Sequence, residues 1–105
     1  MDIFCEIIKD ESNNLHLFED EEIIIINSKY PVAEKHFLVI PKRHIESIVA
    51  IEAGDEQLIG KMCLAAKNFA ATNGITDFKL TFNAGKYLEI HHLHLHILCG
   101  EMKNS

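Results

Sequence analysis

Apolar and polar positions along the chain follow two periods, and the changes between them outline the elements. The opening MDIFCEIIK has the spacing of one short amphipathic helix. HLFEDEEIIIINS then predicts a hairpin: His16 to Glu19, a tight turn near Asp20 and Glu21, and a strand from Ile23 to Ile26. Four consecutive isoleucines suit a strand covered on both faces, because β-branched side chains pack well on a pleated sheet. HFLVIP, residues 36 to 41, is a further apolar strand, and Pro41 stops it because it has no amide proton for the ladder.

From Asp55 to Asn73 the period lengthens. Leu58, Met62, Ala65 and Phe69 recur at spacings of four and three, with Ile59 and Ala66 widening the stripe, which predicts a core-facing helix. Asp55 suits the N-cap, and Gly74 can take the left-handed conformation that ends the helix. FKLTFN, residues 78 to 83, and IHHLHLHIL, residues 90 to 98, return to the strand period. A short helix, a hairpin, a strand, a long helix and two strands make an α+β fold with a mostly antiparallel sheet.

Length and composition narrow the function classes. At 105 residues, 48% hydrophobic and 25% charged, the chain reads as one globular domain over 1–105. It holds no run of 18 apolar residues, and its first residues are acidic where a secretory signal would be basic; the expected location is cytoplasmic, with no membrane partner. Cys5, Cys63 and Cys99 are an odd set without close spacing, which argues against a disulfide framework. A net charge of −6 opposes a polynucleotide partner, so any phosphate ligand must be held by local donors.

The chemistry concentrates in EIHHLHLHILCG, which places His91, His92, His94 and His96 within six positions. On a strand His92, His94 and His96 share one face, while His91, Leu93, Leu95 and Ile97 share the other. His91 breaks that apolar set and belongs near the strand's start. Three readings stand: a solvated stripe on a half-exposed sheet, a metal ribbon, or a row of catalytic groups. Exposed faces seldom carry three imidazoles, and no Asp, Glu or Cys obviously completes a metal site on that face. Neutral imidazole is a nucleophile at working pH, and flanking histidines can orient it and carry protons.

The run His92-Leu93-His94-Leu95-His96-Ile97-Leu98 resembles the signature of the histidine-triad family of nucleotide hydrolases and transferases, closest to its small phosphoramidase-like branch. DIFCEII, LFEDEEIIII, HFLVIPKRHI and FNAG are similar to other segments of that family, so the likeness covers nearly the whole chain. It implies that His94 attacks the α-phosphate of a purine nucleotide ester or nucleoside phosphoramidate, forming a nucleotidyl-histidine that water then hydrolyses. His92 and His96 would orient it, bind phosphate or move the proton, and His36 and Asn83 would contact substrate. A nucleotide-binding module with little turnover is the alternative.

The resemblance implies a homodimer and no required cofactor. Three positions depart from the family pattern. Ser28 stands where a ribose-binding Asp is common. Leu88 and Glu89 occupy a loop that usually carries a Gly-Gln pair followed by Ser, Thr or an acidic residue, which places Glu89 among the substrate-binding candidates. A structural zinc on Cys5 and His44 stays open, with Asp2 where a second Cys is usual.

Overall fold

The computed structural model describes residues 3–9 and 16–103. A helix, α1, covers Ile3–Lys9. The hairpin strands are β1 (Phe18–Glu19) and β2 (Ile23–Asn27), and β3 runs over Ala33–Pro41. The long helix α2 spans Glu56–Thr72, followed by β4 (Lys79–Thr81) and β5 (Leu95–Met102). All pairings are antiparallel, in the order β1-β2-β3-β5-β4, as the α+β reading expects.

The hairpin turn is closed by one carboxylate: Asp20 Oδ1 accepts from the backbone amides of Glu22 and Ile23, each at 2.8 Å. The paired part of β1 is only two residues long, so His16 and Leu17 precede the strand. His16 is instead a clamp. Its Nε2–H donates to the Ile7 carbonyl at 3.0 Å, tying the end of α1 to the sheet.

β2 carries the isoleucine run, and its two faces go to separate cores. Ile23 and Ile25 pack with Val39, Leu93, Leu95, Ile97 and the helix α2. Ile24 and Ile26 pack on the other side with Phe4, Leu38 and Ile40. All four are buried, as a strand covered on both faces requires.

In α2 the buried centre is Met62, Ala66 and Ala70, one position round from the stripe centred on Ala65 and Phe69. The small alanines let the helix approach the sheet, leaving the larger Leu58, Ile59 and Phe69 half-buried on its flanks. Asp55 stands at the start of α2 but makes no cap with its side chain. Its carboxylate accepts from the Glu52 amide at 2.9 Å and pairs with Arg43 instead. Gly74 takes φ 69°, the left-handed conformation that ends the helix.

β3 starts three residues earlier than the apolar pattern suggests, and β5 starts later, at Leu95, and runs on to Met102. His92 and His94 therefore precede the paired strand. The segment stays tied to the fold because the Leu93 amide donates to the Ile45 carbonyl at 2.6 Å. Alternation survives: Leu93, Leu95 and Ile97 enter the α2 core, while His92 and His94 lie against Phe4. His91 is exposed and faces Glu46, outside the strand. Among the described residues no helix is long and apolar enough to cross a membrane.

Candidate active site

The triad is not a solvated stripe. His92 is 0% exposed and His94 7%, both in T-shaped contact with the Phe4 ring, whose centroid lies 5.9 Å and 5.1 Å from theirs. Phe4 comes from α1, so the short N-terminal helix roofs the histidines. No spacing along the chain points to this cover.

Each ring's hydrogen-bond partners define its tautomer. His94 Nδ1 lies 2.7 Å from the His92 carbonyl oxygen. A carbonyl only accepts, so Nδ1 carries the proton and Nε2 keeps its lone pair. Among the described residues every buried side-chain nitrogen or oxygen has a partner, and Nε2 has none in the protein, so it opens to solvent. Burial lowers the pKa of His94 and outweighs the bond to the His92 carbonyl, which raises it; smaller effects of the His92 ring, lowering, and the Glu89 carboxylate, raising, follow. The net result is a neutral imidazole with one accessible basic nitrogen.

His96 belongs to a relay with His36 and Asn83. The Val32 amide donates to His36 Nδ1 at 3.0 Å, which fixes the His36 proton on Nε2. That nitrogen donates to His96 Nδ1 at 2.8 Å, so His96 carries its proton on Nε2, 3.2 Å from the Asn83 carboxamide. An amide turned with its oxygen toward Nε2 satisfies both groups. Burial, with His94 and His36 nearby, pushes the His96 pKa down to about 4, and burial lowers that of His36 as well. All three rings are thus uncharged near neutrality.

His92 departs from its expected part. Its Nε2–H donates to the Pro41 carbonyl at 2.9 Å, leaving the Nδ1 lone pair facing Cys5 Sγ at 3.5 Å and His44 Nδ1 at 3.2 Å. Neither ring nitrogen reaches His94; the contact that orients His94 is the His92 backbone carbonyl. Cys5 Sγ and His44 Nδ1 are 3.6 Å apart, so the three donors form a compact triangle. A tetrahedral zinc with ordinary bond lengths has N–N edges of about 3.3 Å and N–S edges of about 3.6 Å. The donors fit that ion, and the Pro41 carbonyl fixes the tautomer that ligation needs. Asp2, the expected further ligand, lies outside the described residues. The inclusion of His92 was missed in the sequence, where alternation grouped it with the other triad rings.

Ser28 and His36 line one cavity of about 430 Å³, together with Lys35 and Pro31. Ser28 already accepts from the Tyr30 amide at 3.3 Å. Glu89 is exposed, and Leu88 is half-buried after a tight turn over Gly85–Tyr87. The structure thus joins His36, His96, Asn83 and His94 in one cluster and puts Ser28 beside His36. It diverts the His92 ring and leaves Glu89 at the rim.

A five-stranded antiparallel sheet with roofed, uncharged histidines on one face defines the chain as a histidine-triad protein. The comparisons agree: the chain belongs to the histidine-triad family. The family model described as scavenger mRNA decapping enzyme C-term binding matches residues 1–105. An adenosine 5'-monophosphoramidase HINT3 of Danio rerio is 39% identical over 91% of this chain, which spans 62% of that relative's length. Protein HitA of Neisseria gonorrhoeae is 37% identical over 91% of this chain and 92% of its own. A HIT family hydrolase from Clostridium thermocellum superposes with a TM-score of 0.87 at 35% identity, covering 94% of this chain and 90% of that one.

Proposed function

We propose that the protein is a nucleotide hydrolase that cleaves nucleoside phosphoramidates, or related nucleotidyl esters, through a nucleotidyl-histidine at His94. The observation that carries the reading is the His94 ring: neutral, held by the His92 carbonyl, with Nε2 open to solvent. In the first half-reaction Nε2 forms a bond to the α-phosphorus as the bond from phosphorus to the leaving amine breaks. Water supplies the proton the amine takes up. The imidazolium created retains its Nδ1–H, and the His92 carbonyl accepts from it more strongly as charge develops. In the second half, the hydroxide left by that water attacks phosphorus as the bond from phosphorus to Nε2 breaks, releasing the nucleoside monophosphate and neutral His94.

The Asn83 carboxamide N–H, and His96 Nε2–H once it exchanges the Asn83 oxygen for a phosphoryl oxygen, are the donors for the phosphoryl oxygens, and His36 fixes the His96 ring. Uncharged donors suit an acidic chain, because they stabilise developing charge without a cationic patch. Ser28 is placed to meet the ribose, with one hydroxyl where a carboxylate would accept from two. Cys5, His44 and His92 would hold a zinc ion; bound there, it would fix α1 and the His92 backbone and supply no step of the chemistry.

The relative named as an adenosine 5'-monophosphoramidase supports the substrate class, and the neighbour named as a hydrolase supports turnover. The functional unit is proposed as a homodimer formed by β4, one of the two sheet edges, where Phe78 and Leu80 are exposed. The deciding experiment is incubation with a purine nucleoside 5′-phosphoramidate, followed by mass spectrometry of the quenched protein. Nucleoside monophosphate and a nucleotidylated His94 peptide are expected. Nucleotide-dependent melting without either product would establish a binding module instead.

A further inference from the structure

The sheet has a second concave surface, on the face away from the histidines. A cavity of about 510 Å³ lies between the flank of α2 and the β1–β3 end of the sheet. Its walls include the rings of Phe18, Phe37 and Phe69 and the carboxamides of Asn27, Asn68 and Asn73. Phe18 pairs with Ile25 and Phe37 packs into the α2 core, which fixes the side of the sheet. The triad lies beyond the sheet, under α1.

Three features set the chemistry of an occupant. Among the described residues no ionisable side chain lines the cavity, so the occupant needs no charge in that part. Phe37 and Phe69 meet edge to face, with centroids 4.9 Å apart, and so present a fixed apolar wall rather than a mobile one. Among the described residues Asn27 and Asn68 make no side-chain hydrogen bond, whereas Asn73 spends its amide nitrogen on the Phe69 carbonyl at 2.8 Å and keeps its oxygen as an acceptor. A carboxamide offers a donor and an acceptor side by side, the complement of the N6 and N7 edge of adenine. Phenyl rings supply stacking surface for the flat faces of a base.

We propose that this cavity is a second ligand site, on the face of the sheet away from the triad and adjoining the cavity of His36 and Ser28, which takes the uncharged base of a purine. The assignment stands on the cavity's own residues and does not depend on the catalytic reading. The cavity shares Asn27, Phe37 and Asn73 with the neighbouring one that contains His36 and Ser28, so an occupant touches the strand neighbours of both. Phe37 is the physical link: its side chain lines the base site, and the residue before it, His36, orients His96.

The test is a titration of the full chain with adenine, followed by nuclear magnetic resonance of the asparagine side-chain amides and phenylalanine rings. Saturable shifts are expected at Asn27, Asn68 and Phe69, with the same affinity at pH 6 and pH 8 because nothing lining the cavity titrates. Asn68→Leu should weaken this binding about tenfold, and His94→Ala should leave it unchanged. Asn68 is exposed on α2, so the substitution should not disturb folding; Asn27→Leu provides a second, independent probe. Adenine shifts confined to residues around His94, or shifts at the reverse cavity that survive both asparagine variants, would overturn the proposal.

Discussion

Replacing Phe4 by Ala separates what the roof over the triad does from what the triad does alone. Phe4 is 3% exposed and makes T-shaped contacts with both His92 and His94. Truncation of a buried phenyl usually costs about 3–5 kcal/mol, and a seven-residue helix that can settle into the gap places this one near the lower end, about 3 kcal/mol. The chemical effect is more specific. Burial is the largest cause of the lowered His94 pKa, so admitting water should return the ring toward the ordinary value near 6.5. A ring at that value is about three-quarters neutral at pH 7 and about one-quarter neutral at pH 6. The ratio of variant to native rate on a phosphoramidate should therefore fall by up to about threefold between those pH values, beyond any uniform loss. Rates across that interval, with a proton titration of the His94 ring, give both numbers. A variant that folds, yet whose His94 titrates where the native ring does, would refute desolvation as the cause of neutrality.

Four further outcomes follow from the same geometry. His94→Ala should lower turnover by about three orders of magnitude or more while nucleoside monophosphate binding largely survives, since no other described side chain offers an open basic nitrogen at that place; single-turnover kinetics and calorimetry measure the two. Stability should be constant above about pH 7 and decline as pH falls from about 6.5 toward 4. The unfolded chain takes up a proton there that folded His96 refuses until about pH 4, and allowing for the ring's partial exposure the loss is about 1–2 kcal/mol; urea melts across that range check it. A chelator should leave the chemical step unchanged even if it lowers the melting temperature by releasing an ion from Cys5, His44 and His92, so rate and melting are measured in parallel. Light scattering at micromolar concentration should show twice the 11.9 kDa chain, and a charged residue at Leu80 should reduce it to one.

Much of the fold was legible because it follows from period. The isoleucine run, the stop at Pro41 and the 3.6-residue stripe of α2 each have a local cause. Strand ends were less legible, because pairing is set by partners distant in the chain: β5 begins at Leu95 only where Val39 meets it. Asp55 shows the same limit, since an N-cap residue that finds Arg43 across space no longer caps.

In the site, alternation and resemblance together picked out His94, His96, His36 and Asn83, and the structure brings all four together. The His92 ring was misplaced for a physical reason. The segment before Leu95 is unpaired, so the ring is free to turn toward Cys5 and His44 on other elements, a meeting that no spacing in the chain reveals. The Phe4 roof was hidden likewise, because nothing in a seven-residue helix states which face of a sheet it will cover.

The isoleucines of β2 belong by turns to two cores, and that has a consequence for how the strand responds to change. Ile23 and Ile25 support the layer under α2, while Ile24 and Ile26 support the layer that contains Phe4. Adjacent residues of identical type therefore differ in the trait they govern. In a saturation scan, tolerance along this stretch should oscillate with every residue: one set recorded by abundance alone, the other by abundance and activity together. A map of the catalytic layer could then be read from the phase of that oscillation, without any residue that touches substrate being altered.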